Sequence, residues 1–385
     1  MKVLVALDKF KDCFTASEAC SIAAKTLENK YPSWQLECCP LTDGGEGFCE
    51  ILTLALGGTL YPVRVLDARF REVSAYFGTV PIQNLPDEAR RLLGIEELDG
   101  KIAVIEMAQA SGLEQLPISE RNPWHTSTCG SGQLIREACR KEITHILLGI
   151  GGSATNDLGF GALEALGVEF FGEDGPLPRI VPIEFPKLRQ IDLESNLLPL
   201  PTIHVACDVA NTLLGPDGAT AVFAPQKGLP DKDLPAMEKA LAHAAELLCE
   251  TKGCKRDTLE EPGTGAAGGI GWGLHVATDA TFINGFQLIS AWLGLDRKIN
   301  DADLILTGEG RMDASSTHGK GPWATLQKAN KSGKLVHVFA GILTSEILGA
   351  LPHNVFAHAI TPAQMPLEEA LANGQKLLEK AVLKI

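Results

Sequence analysis

Six segments of the sequence carry glycine, carboxylate or cationic residues directly after hydrophobic runs that are typical of buried strands. The segments are residues 8–15, 40–48, 149–157, 206–211, 223–228 and 307–321. Glycines let a backbone approach a ligand, carboxylates hold Mg²⁺ or accept a hydroxyl proton, and Lys or Arg binds phosphate oxygens. Phosphoryl transfer requires all of these groups together. The six loops therefore favour a kinase.

Two motifs of other enzyme classes are missing. No G-x-S-x-G nucleophile motif occurs, which argues against acyl transfer. No G-x-x-x-x-G-K-[ST] motif occurs either, so a kinase with this sequence is not of the P-loop class.

The loop "GIGGSATND" matches the dinucleotide fingerprint G-x-G-x-x-A, with Glu169 near the distance of a ribose-binding acid. A turn whose glycines serve packing alone is the alternative. The loop lies in the middle of the chain without a clear βαβ unit before it, which argues against a nicotinamide site. Backbone N–H groups at a helix start suit phosphate, whereas Asp157, an anion, would cap the helix or face a cation.

Two further loops carry paired carboxylates. In "PLTDGGEGF", Asp43 and Glu46 flank two glycines, so they could hold Mg²⁺ or form a helix capping box. In "TGEGRMDASSTHGKG", Arg311 and Asp313 follow a predicted strand whose carboxyl end is a usual ligand position in open α/β sheets. A solvated surface loop is the alternative there.

Composition limits the partners. The chain has 385 residues and a formal charge of −14, with no basic run, so nucleic acid and anionic membranes are not expected partners. No apolar stretch approaches the ~20 residues that span a bilayer, and "MKVLVALDKFKD" lacks the apolar region of a signal peptide. We therefore expect a cytoplasmic protein. The ten cysteines show no C-x-x-C spacing, which favours free thiols over disulfides or zinc.

The loops alternate with predicted strands and helices. "KVLVAL", "WQLECCPL", "ADLILTG" and "LVHVFAGI" predict strands near the two ends, and the helices between them favour parallel strands. In the middle, "TLYPVRVLDARFREVSAYFGTV" alternates as an antiparallel hairpin does, and later strands are predicted up to "TAVFAPQKG". The sequence predicts two α/β domains: a Rossmann-like parallel-sheet domain of residues 1–60 and 291–385, and a mixed-sheet domain of residues 61–290 inserted into it.

Ordered motifs over essentially the whole chain resemble those of the class I glycerate kinase family. The matching segments are "DKFK", "PLTDGGEG", "RNPWHTST", "GIGGSATND", "ACDV", "LLGPDGA", "PQKG", "GTGAAGGIG" and "DLILTGEGRMD" with "HGK". The resemblance implies ATP-dependent, Mg²⁺-assisted phosphorylation of D-glycerate in a two-domain α/β protein. Enzymes of this family usually form 2-phosphoglycerate. The chain departs from the family's P-D-S-F-K-G-S start at Leu7, Lys9, Asp12 and Cys13.

We expect the six loops to face a cleft between the two domains. Asp208 is predicted to orient the substrate hydroxyl, and Lys11 or Arg311 to bind the glycerate carboxylate. Asp43, Glu46 and Asp313 are predicted to contact Mg²⁺ or the ribose. The predicted substrate and phosphate contacts are Asp8, Gly44, Gly45, Gly151, Gly152, Ser153, Asn156, Asp157, Lys227 and Lys320.

Three questions stay open from the sequence. The phosphorylated hydroxyl could be that of 2- or of 3-phosphoglycerate. Two alternative functions are those of a nicotinamide-dependent hydroxy-acid dehydrogenase and of a non-catalytic sugar-acid binding protein. The sequence does not decide between a monomer and a homo-oligomer.

Overall fold

The computed structural model describes residues 1–317 and 321–385, which form fourteen strands and fourteen α-helices. The strands are β1 (Lys2–Leu7), β2 (Gln35–Cys38), β3 (Thr59–Leu66), β4 (Glu72–Pro81), β5 (Lys101–Glu106), β6 (His145–Gly149), β7 (Glu169–Gly172), β8 (Gly175–Pro176), β9 (Gln190–Asp192), β10 (Thr202–Cys207), β11 (Thr281–Asn284), β12 (Leu304–Met312), β13 (Leu335–Leu343) and β14 (Val355–Ala359).

The helices follow the same chain order. They are α1 (Ala16–Lys30), α2 (Phe48–Ala55), α3 (Asp87–Leu93), α4 (Ala108–Ser111), α5 (Cys129–Cys139), α6 (Phe160–Leu166), α7 (Leu234–Lys252), α8 (Ile270–Thr278), α9 (Gly285–Trp292), α10 (Leu295–Asp301), α11 (Gly321–Lys331), α12 (Ser345–Ala350), α13 (Leu367–Ala372) and α14 (Gly374–Val382). Short 3₁₀ turns connect several of them. The chain divides into two compact units, residues 1–43 with 289–385 and residues 44–288.

The first unit is built on a five-stranded sheet with the order β14-β13-β12-β1-β2. All its neighbouring strands are parallel. In β1, Val3, Val5 and Leu7 pack in one core cluster with residues of α1 and α14. Helix α1 begins with a capping box, in which Thr15 accepts from the Glu18 N–H and Glu18 accepts from the Thr15 N–H. The predicted parallel-sheet fold is confirmed.

The second unit is built on a six-stranded sheet with the order β11-β10-β6-β5-β4-β3. Strands β5, β6, β10 and β11 are parallel, whereas β3 and β4 form an antiparallel hairpin that continues onto β5. The predicted hairpin and mixed sheet are therefore confirmed. The carboxyl ends of the four parallel strands lie at one edge of this sheet, which is where its glycine-rich loops begin.

Two features of the fold were not predicted from the sequence. Strands β7, β8 and β9 form a separate three-stranded antiparallel sheet. The closing helix is split into α13 and α14 at Asn373. Gly374 lies at this break, where a Cβ atom would come within 2.1 Å of the Cys13 sulfur, so a side chain there would displace Cys13.

The predicted strand over "TAVFAPQKG" is wrong. Residues 219–223 form a wide helical turn and residues 225–227 a 3₁₀ turn. Pro225 has no N–H to donate to a strand ladder, and Gly228 has a φ of 92°, which reverses the chain. The hydrophobic residues of this segment therefore pack from a helical surface.

The inserted unit begins at Gly44, whereas the sequence pattern predicts residue 61. Helix α2 explains the difference because it packs against β3, β4 and β5 of the inserted unit. Its Phe48 and Leu52 are completely buried there. Among the described residues, no helix is long and apolar enough to cross a membrane.

Candidate active site

The loop after β1 places Asp8 within a group of acidic residues of the first unit. The Asp8 N–H donates to the Gly308 carbonyl of β12 at 2.9 Å, and the carboxylate accepts from the Lys9 N–H at 2.6 Å. Burial, followed by the negative charges of Asp43 and Glu309, raises the pKa of Asp8 to about 8. The Lys9 ammonium lies 3.6 Å from Asp43. This edge of the sheet therefore concentrates negative charge that a bound cation would relieve.

Arg311 lies near the end of β12, and Asp313 directly follows that strand. The Arg311 Nε donates to the Asp313 carboxylate at 2.9 Å, and the Arg311 side chain is largely exposed. The Asp313 N–H donates to the Ser316 hydroxyl at 3.3 Å, which fixes the turn. An exposed guanidinium held by one carboxylate can still offer donors to a second anion.

Two other predicted residues of this unit are Lys11 and Lys320. A Cβ atom on Gly310 would come within 3.0 Å of the Lys11 nitrogen. The loop after β1 therefore packs closely on β12. Lys320 lies outside the described residues, and its predicted phosphate contact stays a prediction.

In the second unit, the two glycine-rich loops interlock. The Gly151 N–H donates to the Gly44 carbonyl at 2.9 Å. A Cβ atom on Gly149 would come within 2.6 Å of the Gly44 carbonyl oxygen, and one on Gly151 within 2.6 Å of the Gly45 nitrogen. Such distances exclude any side chain at either position. The first role of these glycines is therefore to let the two loops approach each other closely.

Gly152 brings the same loop against Glu46. With a φ of 71°, it adopts a conformation that favours glycine, and a Cβ atom there would come within 2.3 Å of the Glu46 carboxylate. The Gly152 carbonyl accepts from the Leu113 N–H at 2.7 Å, and the Ala154 N–H donates to Ser111 at 2.8 Å. The backbone between them, Gly152 to Ser153, is at least partly exposed. Its N–H groups can therefore meet phosphate oxygens.

Glu106, which sequence reasoning missed, supports the first of these loops. It ends β5 beside Gly149, is nearly completely buried, and accepts from the N–H groups of Gly47 and Cys49 at 3.1 and 3.2 Å. The carboxylate thereby satisfies donors at the start of α2. A glutamate that directly follows the hydrophobic run "IAVI" was the signal available in the sequence.

Asp157 is completely buried and acts as a cap. Its carboxylate accepts from the N–H and hydroxyl of Thr128 at 2.7 and 2.9 Å, and from the N–H groups of Gly159 and Gly161 at 3.2 and 3.3 Å. Burial raises its pKa, and these donors oppose that shift. Of the two roles that the sequence left open, the geometry favours the cap.

Lys227 and Asn156 lie behind the glycine loop instead of facing solvent. The Lys227 ammonium is 1% exposed and donates to the Thr155 carbonyl at 2.6 Å. Burial lowers its pKa to about 7, against the opposing charge of Asp157. The Asn156 amide donates to Thr220 at 3.2 Å, and its oxygen has no partner among the described residues. These side chains support the loop from the interior.

Asp208 follows β10 and caps the start of α9. Its carboxylate accepts from the Phe286 N–H at 3.0 Å, and a Cβ atom on Gly285 would come within 2.7 Å of it. The side chain is exposed. Asn284, at the end of the neighbouring strand β11, accepts from the Gln287 N–H at 2.8 Å. An exposed carboxylate in a fixed position is suited to orient a hydroxyl group.

The predicted residues thus fall into separate groups. Asp8 and Asp43 interact in the first unit, where Arg311 pairs with Asp313. Gly44, Gly45, Glu46, Gly151 and Gly152 meet in the second unit, with Asn156, Asp157 and Lys227 buried behind them. No set of three or more His, Cys, Asp or Glu residues within 1–317 and 321–385 is arranged to hold a metal ion.

Comparison with known proteins decides the family. The sequence model of the glycerate kinase family matches residues 3–385. The chain belongs to the glycerate kinase family. A glycerate kinase of Halalkalibacterium halodurans is 35% identical over 100% of this chain and 97% of that protein. A glycerate 2-kinase of Escherichia coli K12 is 36% identical over 93% of this chain and 89% of that protein.

A solved structure shows the same relationship for this member of the glycerate kinase family. A crystal structure assigned to a glycerate kinase 2 of Salmonella typhimurium LT2 has a TM-score of 0.76 and 35% identity, and covers 100% of this chain and 96% of that chain. The predicted family, fold class and enzyme class, a kinase, are therefore confirmed.

Proposed function

We propose that this protein transfers the γ-phosphoryl group of ATP to a hydroxyl group of D-glycerate, with 2-phosphoglycerate as the favoured product. The observation that carries the proposal is the match of residues 3–385 to a kinase family named for glycerate. The Escherichia coli relative named a glycerate 2-kinase supports the choice of hydroxyl. The strand-end loops described above supply the groups that this chemistry requires.

The acidic group of the first unit fits a magnesium ion that arrives with ATP. Mg²⁺ is usually bound by one or two carboxylates together with substrate phosphates. Asp43 would hold it, with Asp8 or Glu309 beside it, because burial and the charges of Asp43 and Glu309 raise the pKa of Asp8, and a bound cation would oppose that shift. When bound, the ion neutralises charge on the phosphate oxygens. Asp313 and Glu46 remain proposed contacts of the metal or the ribose.

The remaining roles follow from exposure and charge. Arg311 or Lys11 binds the glycerate carboxylate, because an ionic hydrogen bond offsets the desolvation of that anion. Asp208 orients the hydroxyl that attacks the phosphorus atom and receives its proton. The exposed N–H groups at Gly152 and Ser153 bind phosphate oxygens.

The test is a coupled assay that measures ADP release with ATP, Mg²⁺ and D-glycerate. We expect release that depends on D-glycerate and is weaker with L-glycerate, followed by identification of 2-phosphoglycerate by phosphorus NMR. An absence of ADP release with D-glycerate would refute a kinase acting on this substrate. Formation of 3-phosphoglycerate would refute only the choice of hydroxyl.

A further inference from the structure

The carboxyl end of α7 carries two cysteines that the glycerate chemistry does not use. The Gly253 N–H and the Cys254 N–H both donate to the Cys249 carbonyl, at 2.8 and 3.0 Å, and Gly253 has a φ of 73°. With Lys252 as the cap residue, the Cys254 bond is that of a Schellman helix end, in which the side chains three residues before the cap and two residues after it are often in contact. Those two positions are Cys249 and Cys254.

The side-chain contacts agree with this backbone geometry. The sulfur atoms of Cys249 and Cys254 each lie 4.0 Å from the Thr258 hydroxyl. The two sulfur atoms therefore flank the same hydroxyl oxygen. Thr258 is fixed in turn by Trp272, whose indole N–H donates to its hydroxyl at 3.3 Å. Both thiols are free, and a disulfide requires neighbouring sulfur atoms of this kind.

The two thiols differ in accessibility. Cys249 is 7% exposed, and burial, followed by the influence of the Cys254 thiol, raises its pKa to about 12. Cys254 is half-buried and is followed by Lys255 and Arg256. Thiol–disulfide exchange begins at a sulfur atom that a reagent can reach. Cys254 is therefore the thiol that meets a reagent from solvent, and Cys249 the one that resolves the product.

We propose that Cys249 and Cys254 are a redox-active pair that closes to an intramolecular disulfide when the protein meets a low-molecular-weight disulfide such as oxidised glutathione. The Cys254 thiolate attacks one sulfur of the reagent, so that a mixed disulfide forms and one glutathione thiolate leaves. Cys249 loses its proton to water and attacks the Cys254 sulfur, which expels the second glutathione. Two protein thiols are oxidised and one glutathione disulfide is reduced to two thiols.

The bridge would act on the segment next to Asp208. Thr258 begins a stretch in which the Leu259 carbonyl accepts from the Leu213 N–H at 3.0 Å. The Asn211 carbonyl accepts from the Gly263 N–H at 3.1 Å. The chain that follows β10 is therefore hydrogen-bonded to the chain that follows the two thiols.

The test uses the folded full-length protein, treated with oxidised glutathione, alkylated, and digested with trypsin. Cleavage after Lys252 separates the cysteines, so a bridge joins the peptides 240–252 and 253–255. We expect this linked pair in wild type, with more rapid closure at higher pH because Cys249 must ionise. In Cys249→Ser, glutathione should stay attached to Cys254.

Cys139→Ser is the matched control, because Cys139 is also a half-buried cysteine near the end of a helix. That variant should form the linked peptides as wild type does. The proposal is overturned if wild type accumulates glutathione on Cys254 without closing. It is also overturned if the linked peptides form only after the protein is unfolded.

Discussion

Asp208 combines a structural contact with the position expected of a catalytic carboxylate. Its oxygen accepts from the Phe286 N–H, and its side chain is exposed at the end of β10. An asparagine at this position keeps an oxygen that can accept from the same N–H, but it cannot take a proton from the substrate. The two roles can therefore be separated by one substitution.

Asp208→Asn is expected to lower kcat by ~10²–10⁴-fold, the usual contribution of a general base, with an unchanged melting temperature. Steady-state ADP release and a thermal melt measure the two quantities. Asp217→Asn, a change at an exposed aspartate of the following loop, should leave both unchanged. A kcat near that of wild type in Asp208→Asn would eliminate Asp208 as the base.

At this scale the sequence showed which loops hold the candidate residues, but not where their side chains point. Asp43 and Asp208 follow strands as expected. Lys227 was predicted to contact phosphate but is buried, because its segment forms helical turns in place of the predicted strand. Glu106 was missed because its role depends on N–H groups almost sixty residues earlier in the chain. Burial and distant partners of this kind are not visible in a local pattern.

The interlocked glycine loops show how two elements fix each other. A Cβ atom on Gly151 would meet backbone atoms of Gly45, which cannot move aside as a flexible side chain could. The sequence showed both loops but not their contact. Residues 44 and 151 are far apart in the chain, and only the folded sheet brings them together. The sequence offered two interpretations of residues 149–157, a phosphate-binding loop or a turn whose glycines serve packing. These interpretations are not exclusive, because the glycines are required for packing in either case.

Gly151→Ala is expected to lower the free energy of unfolding by about 1–3 kcal/mol, the usual cost of overpacking, and to reduce kcat/KM. Urea unfolding and the ADP assay measure these effects. Gly349→Ala in α12 is the matched control, because nothing lies within 4 Å of its added Cβ atom. Equal stability of the two variants would show that the loops are not rigidly packed.

A histidine pair links strands β13 and β14 and predicts acid sensitivity. His337 Nδ1 lies 2.9 Å from His358 Nε2. Burial, followed by the charge of His358, lowers the pKa of His337 from 6.5 to about 4, and burial also lowers that of His358. Between pH 6.5 and about 4, the unfolded chain therefore binds more protons than the folded protein does. The stability contributed by the pair is complete above pH 6.5 and is lost as the pH falls towards 4.

His337→Phe removes one of these titrating rings and keeps an aromatic ring beside Phe356. We expect the difference in urea midpoint between wild type and this variant to change between pH 6.5 and 4, the interval of the shifted pKa. His353→Gln, at an exposed histidine, should follow the wild-type curve. Parallel curves for wild type and His337→Phe would contradict the assignment.

For the whole molecule, the order of elements was more predictable than their limits. Strand and helix alternate clearly at both ends, and parallel strands follow from that alternation. The beginning of the inserted unit at Gly44 was not predictable, because α2 has the same helical pattern whichever sheet it packs on. The cytoplasmic location and the choice between a monomer and a homo-oligomer stay predictions.

Nucleotide choice is a property that can be tested on the whole molecule. We expect ATP with Mg²⁺ to raise the melting temperature, since a ligand at 100 times its Kd stabilises a folded protein by about 2.7 kcal/mol. NADH and NADPH at the same concentration should not change it. Differential scanning fluorimetry makes the comparison, and stabilisation by NADH alone would favour the dehydrogenase alternative.

The position of β1 between β2 and β12 has a consequence for synthesis on the ribosome. The nascent chain can pair β1 with β2 at once, but β12 begins only at Leu304. At typical translation rates the interval is roughly 15 to 50 s. During that time residues 44–288 can complete their own sheet, while one hydrogen-bonding edge of "KVLVAL" has no partner strand. We therefore expect the N-terminal forty residues to need protection from aggregation during that interval.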